Sequence, residues 1–232
     1  MPRSADDVLK EIRGLIAERP WAEQPLYRAL MTEKLTQPEL RYFAKQYSVY
    51  ALHNHHYHGN IYVQCPDPVW RQRIAEVVYE EGTGRLFANG VAHSQLWLLF
   101  SDAVGVPREE MFNVEFCPGA LAKRVYTEWV CKRSFLEGMS GSSLAGEAQA
   151  PGAYAKIARN LQRQNGLSAE AVSFFDVHDV ADADHGSAGA ELLEHFAKTQ
   201  TDYELVLRTV RDYLGIERLM NEDIYRHMKE LA

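Results

Sequence analysis

Apolar positions recur at spacings of three and four along nearly the whole chain, with polar residues between them, a pattern that predicts helix after helix. Val8, Ile12 and Ile16 form an amphipathic start that Pro20 ends. Leu26 to Met31 reads as a short helix. Thr36-Gln37-Pro38-Glu39 combines a capping hydroxyl, an early proline and a glutamate three residues on, and predicts a long helix to about Val63. Asp67-Pro68 opens another that runs towards Glu81, where Gly82 and Gly84 are expected to stop it. Further helices are predicted from His93 to Val104, at Pro107 to Met111, and from Pro118 into Phe135. Leu144 to Asn165 reads as one helix with a kink at Pro151. Ser168-Ala169-Glu170-Ala171 opens the next, expected to carry His178, Asp182 and His185, and the last spans about Asp202 to Leu231. No alternating run flanked by hairpin turns is found. The expected fold is all-α, one domain over residues 1–232, without repeats or linkers.

Composition changes this picture little. The 232 residues are 46% hydrophobic and 25% charged, the make-up of a globular domain able to bury a sizeable core. The net charge of −7 is spread without a basic stripe, which argues against nucleic acid as a partner. Apolar runs such as Leu96 to Phe100 are too short to span a bilayer, so no membrane is expected. Met1 to Glu18 carries charges throughout and is not read as a signal peptide. Cys65, Cys117 and Cys131 form neither a CxxC pair nor a disulfide framework, which points to a reducing, cytoplasmic setting.

Candidate chemistry begins with His178, Asp182 and His185, at positions i, i+4 and i+7. At about 100° per residue they fall in one narrow helical stripe. Two imidazoles and a carboxylate on one face suit iron or manganese; the acidic neighbours Asp176, Asp179 and Asp184 leave a solvated polar face as the alternative. Glu147 stands among small residues between Leu144 and Pro151, and either faces water or needs a compensating cation. Glu80 or Glu81 ends one helix and His93 starts the next, with a glycine-broken segment between that would let both turn to one point; both positions are also common on surfaces. His53, His55, His56 and His58 spread round half a helical circumference, and read as surface histidines with one or two pocket residues among them. Tyr27, Tyr47, Tyr50 and Tyr57 read as core or near-site residues whose hydroxyls need partners. Leu96, Trp97 and Phe100 read as plain core, and Arg85 and Lys123 as surface basics.

Several of these stretches together carry a resemblance: Leu26-Tyr27, Leu40 with Ala44-Lys45 and Tyr47, Cys65-x-Asp67, Glu80-Glu81, His93-x-x-Leu-Trp97, Glu147-x-Gln-x-Pro151 and His178-x3-Asp182-x2-His185. Through them nearly the whole chain resembles the haem-oxygenase-like di-iron oxidases. That family includes the chlamydial protein associating with death domains and, more distantly, pyrroloquinoline quinone synthase C and the TenA proteins. The resemblance implies a bundle of seven to eight helices around two iron ions, the second position open to manganese. The ligands it implies are Glu81, His93, Glu147, His178, Asp182 and His185; an ungapped match from Cys65 selects Glu81 over Glu80. It implies an enzyme that uses dioxygen to oxidise a small amino-acid-derived or fatty-acid-derived substrate in a biosynthetic pathway, by N-oxygenation, C–C cleavage or desaturation. A homodimer is common for such folds. Alternatives on the same fold are a p-aminobenzoate synthase that consumes its own side chains, a cofactor-free oxidase, a TenA-like hydrolase and a non-catalytic partner-binding protein. For the self-consuming reaction the resemblance implies Tyr27 and a lysine ten residues after Glu147, where this chain has Ile157, next to Lys156.

Overall fold

The computed structural model describes the backbone of residues 3–149, 152–181 and 185–231, with their side chains except at 147, 180–181 and 185–188. Helices follow one another throughout, and no strand occurs among the described residues. Ser4 and Asp7 cap α1 (Ala5–Ala17) reciprocally, and its buried stripe is Val8, Leu9 and Ile12. A single 3₁₀ turn at Trp21–Glu23 leads to α2 (Pro25–Thr32). Thr36 and Glu39 form the expected capping box of α3 (Gln37–Ala51). The long helix expected from there to Val63 is two helices: α3 ends at Leu52, and α4 (Asn54–Gln64) starts after His53. Asp67 caps α5 (Pro68–Thr83) through the amides of Val69 and Trp70. Gly82 lies inside that helix rather than ending it; Gly84, at φ +61°, is the stop.

The remaining elements are α6 (His93–Ala103), α7 (Arg108–Met111), α8 (Pro118–Arg133) and α9 (Phe135–Met139). Where one helix was expected from Leu144 to Asn165, the backbone widens into a π-helix at Ser140–Gly146 and tightens into a 3₁₀ turn at Glu147–Gln149. Only then does α10 (Ala153–Asn165) begin. Gly141 and Gly146 let this segment lie close against Tyr213, since an added Cβ would stand 2.9 Å from its ring at Gly141 and 3.1 Å from its hydroxyl at Gly146. α11 (Ser173–Ala181), α12 (His185–Phe196) and the 31-residue α13 (Gln200–Glu230) complete the chain.

Two apolar cores flank a polar layer. One gathers Leu26, Tyr27, Phe43, Trp97, Phe100, Ile157 and Phe175, with Met220, Ile224 and Met228 from the end of α13. The other gathers Val8, Ile61, Trp70, Val130, Phe135 and Leu192, with Val206, Val210 and Leu214 from the start of α13. α8 and α13 cross from one core to the other, and where they cross their buried residues turn polar. Glu217 marks the crossing on α13, and Lys123 and Thr127 on α8; buried polar residues also stand at the α5–α6 junction, Glu80 and His93, and on α11, His178. Any chemistry in this molecule is framed by that layer.

Candidate metal centre

The α5–α6 junction brings a carboxylate and an imidazole together. After Gly84 the chain closes a tight loop, its amide donating to the Glu80 carbonyl at 2.7 Å and the Gly90 amide to the Gly84 carbonyl at 2.8 Å. The loop turns the chain so that Glu81, in the last turn of α5, faces His93, the first residue of α6. His93 Nδ1 lies 3.2 Å from Glu81 Oε1. α11 packs on α6 and supplies His178, whose ring centroid is 4.7 Å from that of His93. One ligating atom from each of Glu81, His93 and His178 lies within 4.8 Å of the other two.

These three fit a cation. His93 Nδ1 is buried and, among the described residues, faces the Glu81 carboxylate at 3.2 Å. Two ligand atoms each about 2 Å from one ion and at right angles stand roughly 3 Å apart, which is the observed separation. His178 Nδ1–H donates to the Phe174 carbonyl at 2.7 Å, the usual second bond of a ligating histidine, and this sets the tautomer with the lone pair on Nε2. Nitrogen and oxygen donors without thiolate suit iron.

The charges agree with the geometry. Burial works to raise the Glu81 carboxyl, but the adjacent His93 imidazole and the charges of His58 and His178 bring it down to about 2. Burial opposes the charged form of His93, yet Glu81 and Glu80 raise its pKa above the ordinary histidine value. The carboxylate is thus held ionised, and a cation that binds beside it takes the place of the His93 proton.

The other expected site residues are placed unequally. Glu147 opens the 3₁₀ turn and His185 opens α12, and these two elements pack together, although both side chains fall outside those described. Asp182 lies outside the described residues altogether. His178 and His185 belong to helices bounded separately, not to one described helix. Of the histidine cluster, His58 is the buried member; its Nε2 lies 3.4 Å from Ser142 Oγ in the π-helix, and its charge reaches Glu81. His53 is half-buried, and His55 and His56 are exposed. Tyr57 donates to the Val49 carbonyl at 2.9 Å within the core. Tyr27, Tyr47 and Tyr154 join their hydroxyls in a buried chain, 3.1 and 3.0 Å apart, and the Tyr154 ring lies 5.9 Å from that of His178.

Lys123 is not the surface residue expected. It is 1% exposed, with its ammonium 3.0 Å above the Tyr213 ring and 3.8 Å from Glu217. Glu217 accepts from Tyr50 at 2.6 Å and also from Gln149. Helical spacing alone could have placed Lys123 inward, because it shares a face with Ala120, Thr127 and Val130. The partner on α13 is ninety-odd residues away, and nothing local announces it.

Comparison with known proteins adds identity to this geometry. Residues 41–217 match the profile of a family described as iron-containing redox enzyme. A 4-aminobenzoate synthase of Chlamydia pneumoniae is 27% identical over 179 residues, covering 77% of this chain and 78% of that protein. One of Nitrosomonas europaea is 25% identical over 213 residues, covering 87% and 84%. Among solved structures, a TenA homologue from Pseudomonas syringae superposes with a TM-score of 0.75 at 12% identity, covering 97% of each chain. A Shewanella denitrificans domain with a haem oxygenase-like fold gives 0.70 at 16% identity, covering 97% of this chain and 91% of that one. The all-α fold expected from the sequence is this haem oxygenase-like one.

Proposed function

Because the chain belongs to the iron-containing redox enzyme family, and is an iron-dependent oxidoreductase, we propose that it holds two iron ions and uses dioxygen to oxidise a small organic substrate in a biosynthetic pathway. The proposed ligands are Glu81, His93, Glu147, His178, Asp182 and His185. One observation carries the reading: Glu81, His93 and His178 each place a ligating atom within 4.8 Å of the other two. Bound iron supplies the electron-transfer chemistry with dioxygen. The chain's own part is to hold and orient. The Phe174 carbonyl fixes the His178 ring, and Trp97, Phe174 and Tyr154 wall the site on the side of the first core, which keeps water from it. His58, beside Ser142, adds a buried imidazole whose charge bears on Glu81.

A second reading, 4-aminobenzoate formation, is favoured by the names of the relatives. Tyr27 suits it, being fully buried and linked through Tyr47 and Tyr154 towards His178. The lysine position does not, because Ile157 is buried in the first core and Lys156 is exposed.

Elemental analysis after anaerobic ferrous loading tests the centre. Two irons per chain are expected, and stoichiometric loading should be lost in His93→Ala, His178→Ala and Asp182→Ala. Retention of both metals in these variants would remove the assignment. Mass spectrometry of iron-loaded protein exposed to oxygen without added substrate separates the two readings. 4-Aminobenzoate released by the wild type and absent from Tyr27→Phe supports the second, and its absence from both supports oxidation of an external substrate.

A further inference from the structure

Glu80 precedes Glu81 and is 5% exposed, yet its carboxylate serves a different purpose. Its oxygens accept three hydrogen bonds: the Leu86 amide at 2.6 Å, the Phe87 amide at 3.0 Å and His93 Nε2–H at 3.2 Å. A carboxylate engaged by three donors is committed to them. Each donor matters for a different reason. The two amides belong to the loop between α5 and α6, whose Leu86 and Phe87 side chains point outward, 51% and 57% exposed. The imidazole belongs to a residue facing Glu81 with its other nitrogen.

We propose that Glu80 is a positioning residue that couples the loop at residues 84–91 to the metal centre. By accepting the hydrogen bond of His93 Nε2–H it fixes the tautomer that presents the Nδ1 lone pair towards Glu81. By holding the Leu86 and Phe87 amides it makes that orientation depend on the closed loop. Carboxylate–histidine–metal arrangements elsewhere orient the ring and raise its basicity, and loss of the outer carboxylate typically weakens metal affinity about 10–100-fold. Here the same carboxylate also anchors a loop with two exposed apolar side chains, so a contact that moved the loop would loosen His93. The proposal rests on His93 and Glu81 being ligands, and goes beyond it by assigning the nitrogen that binds and the residue that chooses it.

The metal-free wild type provides the first test. Nitrogen-15 NMR of the His93 ring at alkaline pH should show the proton on Nε2; a proton on Nδ1 overturns the proposal without any variant. In Glu80→Gln one acceptor oxygen must replace two, so the ring should show mixed tautomers and the Leu86 and Phe87 amides should exchange with deuterium faster. Ferrous affinity should fall about 10–100-fold, with the number of irons bound at saturation unchanged. Unaltered tautomer and affinity in Glu80→Gln refute the coupling, and a drop in stoichiometry makes Glu80 a ligand instead. Glu81→Gln separates the two levels: if it too leaves ferrous affinity at the wild-type value, the centre itself is misassigned, whereas if it alone weakens binding, only the role given to Glu80 falls.

Discussion

At the scale of single residues, the side chains with most consequence are those buried against their chemical preference. Lys123 is the clearest. Burial lowers its ammonium to about 7, and Glu217 only partly restores it. Between about 7 and the unfolded value near 10.5 the unfolded chain binds a proton that the folded chain does not, so stability should rise with pH across that window. The slope is at most about 1.4 kcal/mol per pH unit. Urea unfolding compared at about pH 7.5 and 9 should show the wild type gaining roughly 2 kcal/mol relative to Lys123→Met. Parallel pH dependence in the two proteins would show that the amine is charged throughout. The same residue shows where local pattern stops being informative. Its inward direction follows from helical spacing, but its identity as half of a buried ion pair depends on a residue of α13 that only folding brings near. His58 is the converse case: four histidines crowd one stretch of sequence, and only the break between α3 and α4 decides that this one turns inward.

At the scale of elements, helix existence was legible and helix continuity was not. Caps announced themselves: Thr36 with Glu39 and Asp67 with Pro68 start helices where their chemistry requires. Interruptions were hidden, because the turn at Leu52-His53 and the π-helix at Ser140–Gly146 leave the apolar period nearly intact. The π-helix places Ser142 against His58, whose charge bears on Glu81. Glycine position discriminates more finely than glycine presence. Gly82 is helical and no described residue comes within 4 Å of an added Cβ, so Gly82→Ala should leave stability unchanged or raise it by about 0.5–1 kcal/mol. Gly84 has φ +61°, and a Cβ there would lie 1.9 Å from the Val91 carbonyl oxygen, a backbone atom with no rotamer to escape to. Gly84→Ala should therefore cost more than about 2 kcal/mol, from left-handed strain of about 1–2 kcal/mol plus the clash. Thermal melts of the two variants side by side decide it: equal midpoints would mean that the loop has no need of its glycine.

At the scale of the whole molecule, the polar layer between the two cores explains both the site and its cost. Carboxylates and imidazoles withdrawn from water destabilise the fold unless partnered, and here they come from α5 and α6, joined by the loop at residues 84–91, and from α11, which packs on α6. This was the least legible feature of the chain. Each layer residue reads locally as an ordinary polar position, and the layer exists only because helices remote in sequence cross between cores at the same height. Helical spacing suggested His178, Asp182 and His185 as one metal-binding face, motif resemblance completed the six proposed ligands, and the geometry unites Glu81, His93 and His178. A cation bound there by the folded chain alone must add its binding energy to the stability of the fold. Free ferrous ion at about 100 times its dissociation constant contributes about 2.7 kcal/mol. For a chain of this size that corresponds to a rise in Tm of roughly 5–11 °C, at about 2–4 °C per kcal/mol. Anaerobic melts with and without ferrous ion should show that rise in the wild type and its loss in His178→Ala, whose ring bridges α11 to α6. An equal iron-dependent shift in both proteins would place the stabilising ion elsewhere and detach the polar layer from the metal.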